Sequence, residues 1–109
     1  MNNCLGLIKV GGVHYEVNEV DYVEIDGDRN FNGACWYTPL RIDMVKSLTP
    51  QKKKIVLAHE LTHAILFEAG FKEQDEDMVD RISKILLQVI QDNDLKFILR
   101  SLDSEGEQK

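Results

Sequence analysis

The sequence predicts an α+β domain in which a small antiparallel N-terminal sheet is followed by three helices. Two observations support this class. Between residues 6 and about 45, short apolar runs alternate with glycine-rich turns, which is typical of strands. From residue 50 to about 102, apolar residues instead recur at helical spacing. No repeat or linker divides the 109 residues, so 1–102 are expected to form one domain and the polar residues 103–109 a frayed tail.

The strands are predicted from side-chain alternation and turn chemistry. Residues 7–10 and 13–17 flank Gly11-Gly12, as in a β-hairpin. In the second of these strands Val13, Tyr15 and Val17 alternate with polar residues, so one face can pack and the other can face water. A further short strand is expected at residues 22–25. Residues 34–37 and 40–45 are expected to form two more strands, or one strand interrupted at Pro39, which favours an edge position.

The first helix has clear start and stop signals. Thr49 followed by Pro50 is a typical N-cap and first-turn pair. The helix is expected to end near Ala69, where Gly70 can adopt the left-handed conformation that terminates helices.

A second helix is expected from Asp75 or Glu76 to about Gln91, because its apolar residues follow the 3.6-residue period. Asp94 is predicted to cap a short third helix that ends near Leu102. A short turn between the first two helices brings them together as antiparallel neighbours.

Composition restricts the class of partner. The net charge of −6 and the pI near 5.0 argue against direct nucleic-acid binding, which needs a basic surface. No apolar run approaches the roughly 18 residues that a membrane span requires, and no signal peptide is visible. The two cysteines, Cys4 and Cys35, do not suggest a disulfide framework and are expected to be reduced. A cytoplasmic protein is therefore expected.

The most informative segment is His59-Glu60-Leu61-Thr62-His63, in the middle of the first predicted helix. Residues four apart lie one turn apart on the same face, so both imidazoles can reach one metal ion. Glu60 projects beside that face, where its carboxylate can act as general base. The chain has only three histidines, so this pattern seldom arises by chance. The motif predicts a zinc site.

Two histidines do not complete such a site, and the second helix is the natural source of a third ligand. Glu76 and Asp80 lie one turn apart toward the edge of its apolar stripe, so either carboxylate can face the first helix. The neighbouring acids Asp75 and Asp77 are equally typical of helix capping.

The run of residues 55–66 resembles the active-site helix of zincin metallopeptidases, and more narrowly of the small ImmA/IrrE-like peptidases common in phages and mobile elements. The preceding residues 40–43 resemble the strand that leads into that helix. The resemblance implies a zinc-dependent endopeptidase that hydrolyses a protein or peptide substrate. Members of this family often cut a repressor or another regulator, which here would be a separate protein.

The resemblance also bears on the third ligand. In glutamate-type zincins this ligand begins a pattern of Glu, two residues, Ala or Ser, then Asn or Asp. The stretch Asp80-Arg81-Ile82-Ser83-Lys84 is similar, which favours Asp80 over Glu76. It departs from the pattern twice, because Asp80 is shorter than Glu and because Lys84 replaces the residue that supports a ligand histidine.

Enzymes of this class also use a side chain to stabilise the oxyanion, for which the candidates are His14, Tyr15, Tyr22 and Tyr37. The substitution at Lys84 and the small size of the chain support an alternative, a weakly active or inactive metal-binding module that acts by protein–protein interaction. A third alternative is an interaction domain that carries the motif by accident.

Overall fold

The computed structural model describes residues 3–105 and has the α+β class predicted from the sequence. In that range, strands precede helices in the order β1 Asn3–Val10, β2 Val13–Val20, β3 Val23–Ile25, β4 Asp28–Phe31, β5 Gly33–Trp36, β6 Arg41–Val45, α1 Pro50–Glu68, α2 Glu76–Asp92 and α3 Leu95–Glu105. The predicted frayed tail begins inside α3, since residues 103–105 are helical. Its remaining residues, 106–109, lie outside the described residues.

The main sheet has the strand order β1-β2-β6-β5. Its outer pairs, β1 with β2 and β5 with β6, are antiparallel as predicted. The central pair is parallel, with Val17 opposite Ile42, so the sheet is mixed rather than wholly antiparallel. A parallel pair needs a crossover connection, and residues 21–40 provide it. This crossover makes β5 an edge strand, next to the interruption at Pro39.

One strand was not predicted. β4 pairs with β3 in a separate two-stranded sheet, and its four side chains are all exposed. Asp26 and Gly27 form the tight turn between them with positive φ angles of 53° and 81°. The polar sequence of β4 resembles turn chemistry and lacks the apolar alternation by which strands are recognised.

Helix α1 packs on one face of the main sheet. Tyr15, Ile42 and Ala64 are fully buried in this layer, and Val17, Met44 and Val56 form a neighbouring cluster. The Thr49 hydroxyl accepts a hydrogen bond from the Lys52 amide at 3.2 Å, as the predicted N-cap requires. Gly70, with φ +104°, follows the last turn as expected. None of the helices in residues 3–105 is long and apolar enough to cross a membrane.

Helix α1 approaches the sheet closely at Gly33 in β5. A Cβ atom at this position would overlap Cγ1 of Val56 and would lie 3.0 Å from the carbonyl oxygen of Asp43. The same atom would lie 3.4 Å from Cγ of Glu60. Glycine is therefore required because no side chain fits between β5 and α1.

We expect Gly33→Ala to lower the free energy of unfolding by about 1–3 kcal/mol, since the added methyl group overpacks this contact. Gly12→Ala is the matched control, because nothing lies within 4 Å of the added Cβ there. Urea denaturation of both variants checks the prediction. Equal stabilities for the two variants would contradict the close packing of α1 on β5.

Candidate metal centre

Helix α1 presents His59 and His63 on successive turns of one face. Their ring centroids are 5.0 Å apart and the rings are nearly perpendicular, at 71°. The two side chains are 24% and 12% exposed, so they lie at the edge of the core and remain accessible from one side. The helical spacing alone produces this arrangement, as the sequence predicted.

The carboxylate of Glu76, the first residue of α2, reaches both imidazoles. Its Oε1 lies 3.2 Å from Nε2 of His59, and its Oε2 lies 3.2 Å from Nε2 of His63. The ligand atoms of this trio all lie within 4.8 Å of one another. Two ligands at about 2.0–2.1 Å from a tetrahedral ion are about 3.4 Å apart, which is close to the spacing found here. The group could therefore hold a metal ion.

Asp80 lies beside the trio but does not belong to it. Its Oδ1 is 3.7 Å from Nδ1 of His59, the ring nitrogen other than the one that faces Glu76. Its Oδ2 is 3.6 Å from Nζ of Lys84. The sequence favoured Asp80 as third ligand, whereas the structure brings Glu76 to the two Nε2 atoms. The difference arises because α2 starts at Glu76 beside the histidine turns, and Asp80 lies one turn further along.

Gln74, in the loop between α1 and α2, is a site residue that the sequence reasoning missed. Its Oε1 forms a short hydrogen bond with Nδ1 of His63. Its Nε2 donates to the carbonyl oxygens of His63 at 3.3 Å and Phe71 at 3.0 Å. Because an amide oxygen only accepts, Nδ1 must carry a proton, so Nε2, which faces Glu76, is the ring nitrogen that could bind a metal ion. A glutamine in a loop belongs to no metal-site motif. The only indication in the sequence was its position two residues before Glu76.

Glu60 points into the same part of the molecule and is only 9% exposed. A cavity of about 500 Å³ is lined by Glu60 together with His59, His63, Glu76 and residues of β5. Burial raises the pKa of Glu60 to about 7; the positive charge of His63 lowers it, and the negative charge of Glu76 adds to the increase. A carboxyl group with this pKa can both accept and return a proton near neutral pH.

Of the four candidates for oxyanion stabilisation, Tyr37 is the one that lines this cavity. Its ring stacks on Phe67, with centroids 4.0 Å apart and planes within 5°. Its hydroxyl donates to Oε1 of Gln74 at 3.4 Å, so it belongs to the hydrogen-bond network that reaches His63.

The other three candidates lie elsewhere. Tyr15 is fully buried and donates its hydroxyl hydrogen bond to Glu68 at 2.8 Å. Tyr22 is exposed, with the Arg29 guanidinium 3.7 Å from its ring centroid. His14 is exposed on β2 and does not line the cavity.

Comparisons of the chain with protein-family models, with curated proteins and with solved structures find no match.

We expect Glu76→Gln to weaken Zn²⁺ binding more than 100-fold, because it removes a charged ligand from the trio. Asp80→Asn should weaken binding only about tenfold, as is typical of a residue that orients a ligand. Asp77→Asn is the control, since this exposed acid of the same turn pairs with Arg81 instead. Competition with a chromophoric chelator measures all three affinities. A larger loss for Asp80→Asn than for Glu76→Gln would contradict the trio.

The two cysteines should differ sharply in reactivity. Burial raises the pKa of the Cys35 thiol to about 12, with further increases from the charges of Glu60 and Glu68, whereas Cys4 is exposed. Because the thiolate is the nucleophile, iodoacetamide at pH 8 should alkylate Cys35 at least about 100-fold more slowly than Cys4. Mass spectrometry of Cys4→Ser and Cys35→Ser variants separates the two rates. Comparable rates would show that Cys35 is not shielded.

Proposed function

We propose that this chain is a zinc metallopeptidase of the H-E-x-x-H type that hydrolyses peptide bonds of a protein substrate. The observation that carries the proposal is the convergence of His59, His63 and Glu76 beside the buried Glu60. Two imidazoles and one carboxylate are the donor set of a common class of catalytic zinc sites, which keep a further position open. Bound zinc supplies Lewis-acid chemistry, polarising a carbonyl group and acidifying water.

In this proposal Glu60 is the general base. It follows His59 directly in the chain and lines the cavity that the metal ligands also line. Its burial, which raises its pKa to about 7, lets it take a proton from water and then deliver that proton to the leaving amine. A surface glutamate with an ordinary pKa would be a weaker base and would take the proton from water less readily.

The family resemblance fits better when its pattern starts at Glu76 rather than at Asp80. Glu76 then takes the place of the ligand glutamate, and Asp80, four residues later, takes the place of the supporting Asn or Asp. The Oδ1 atom of Asp80 lies 3.7 Å from Nδ1 of His59, beyond hydrogen-bond distance but on the side of the ring where a supporting group belongs. Only the small residue of the pattern is missing, because Val79 stands there. When the pattern starts at Glu76, the short side chain of Asp80 and the lysine at position 84 are no longer departures from it, so they do not argue against activity.

An extended peptide is the substrate form that the cavity favours. β5 borders the cavity and, within residues 3–105, pairs with β6 alone, so its outer backbone edge is available to a substrate strand. Tyr37 follows this strand, where its hydroxyl can contact the substrate carbonyl as the oxyanion forms. A repressor or other regulatory protein is the substrate class that the resemblance suggests.

We expect Glu60→Gln to keep its zinc affinity within a few-fold of the wild type and to lose at least about 1,000-fold in kcat, because the general base is removed. A fluorescence-quenched peptide library provides the substrate, and elemental analysis provides the metal content. Glu73→Gln, an exposed acid of the α1–α2 loop, is the control that should retain activity. Zinc binding by the wild type without cleavage of any peptide would instead favour a metal-binding module.

A further inference from the structure

Two sides of helix α2 differ in burial. The first side faces α1 and contains the buried residues Val79 and Ser83 and the half-buried Leu86. The second carries a stripe of Met78, Ile82, Ile85 and Val89, in which Val89 is half-buried and the other three side chains are exposed, Ile85 to 64%. We call this stripe the α2 seam. Its residues are spaced four, three and four apart, which is the spacing of side chains that pack into a facing helix.

Helix α3 also has exposed apolar side chains. It has 11 residues, and its apolar side chains Leu95, Ile98, Leu99 and Leu102 are 43–61% exposed. Among residues 3–105, no strand or helix packs along α3. An isolated helix of this length is marginal in water, so an amphipathic helix such as α3 is stabilised by packing its apolar face. The described part of the chain does not supply that packing.

The exposed apolar area of the two helices is large enough for a stable association. Seven large apolar side chains of the α2 seam and of the apolar face of α3 are 39–64% exposed: Met78, Ile82, Ile85, Leu95, Ile98, Leu99 and Leu102. At roughly 100 Å² each, they offer on the order of 700 Å² per copy, which is close to the roughly 800 Å² per partner of a standard interface.

We propose that the α2 seam and α3 form the interface of a homodimer with two-fold symmetry, in which the seams of two copies pack antiparallel to each other. A second copy is the occupant that the spacing favours, because it provides a facing helix with the same four-three-four repeat. The seam contains no charged residue, so its burial leaves no ion unpaired. An antiparallel pairing also keeps the two Arg81 side chains, which flank the seam, apart, whereas a parallel in-register pairing would bring them together.

The dimer leaves the metal centre accessible. At 100° per residue, the α2 seam lies on the side of α2 opposite Glu76 and Asp80, about 180° around the helix axis. The proposal is therefore independent of the peptidase proposal, and either one can fail without the other.

Sedimentation velocity of the full chain at concentrations from about 5 to 200 µM tests the interface. The wild type should sediment with twice the chain mass of 12.5 kDa. Ile85→Glu should give monomers at the same concentrations, because it places two carboxylates in the apolar interface. Leu7→Glu is the matched control: Leu7 lies on β1 and is also 64% exposed, so this variant should remain dimeric. A monomeric wild type, a larger assembly, or an Ile85→Glu variant that remains dimeric would overturn the proposal.

A second variant keeps the test decisive if Ile85→Glu does not fold. Residue 85 lies near the middle of the seam, so an antiparallel two-fold places the two copies of it close together. Ile85→Cys in a Cys4→Ser background should therefore form an intermolecular disulfide rapidly under mild oxidation, while Leu7→Cys in that background should not. Equal cross-linking of both variants, or none at position 85, would contradict the arrangement.

Discussion

The contact between α1 and β5 at Gly33 is the constraint on which the rest of the structure depends. Because glycine has no side chain, α1 can approach the edge strand until Val56 and Glu60 lie directly against it. This approach buries Glu60, which accounts for most of the rise in its pKa. The histidines on the adjacent face of α1 are thereby held at the rim of the same cavity.

Three segments of the chain contribute side chains to the candidate metal centre. Helix α1 provides the two imidazoles, the following loop provides Gln74, and α2 provides Glu76 and Asp80. Each imidazole has a polar group beside its Nδ1 and directs its Nε2 at Glu76. The two ring nitrogens need different surroundings because a histidine that binds a metal ion offers the lone pair of one nitrogen, while a partner fixes the other nitrogen. The side chains of His59, His63 and Glu76 could therefore hold a metal ion in the arrangement that they already have.

The sequence predicted the features that follow from local spacing and missed those that depend on how elements meet. The helix with His59 and His63, its caps and the α+β class were confirmed, because periodicity and turn chemistry determine them. The parallel pairing of β2 with β6 is a long-range contact with no local signature. The choice between Glu76 and Asp80 depends on where α2 lies along α1, which the helical period alone does not determine. Gln74 was missed for the same reason.

The central claim is that His59, His63 and Glu76 together form one metal site. A crystal structure of the zinc-loaded protein, with anomalous scattering recorded at the zinc absorption edge, tests this claim most directly. We expect one anomalous peak, at about 2.0–2.2 Å from Nε2 of each histidine and from a carboxylate oxygen of Glu76. An ion bound through Nδ1, an ion with Asp80 in place of Glu76, or no ion between the two helices would contradict it.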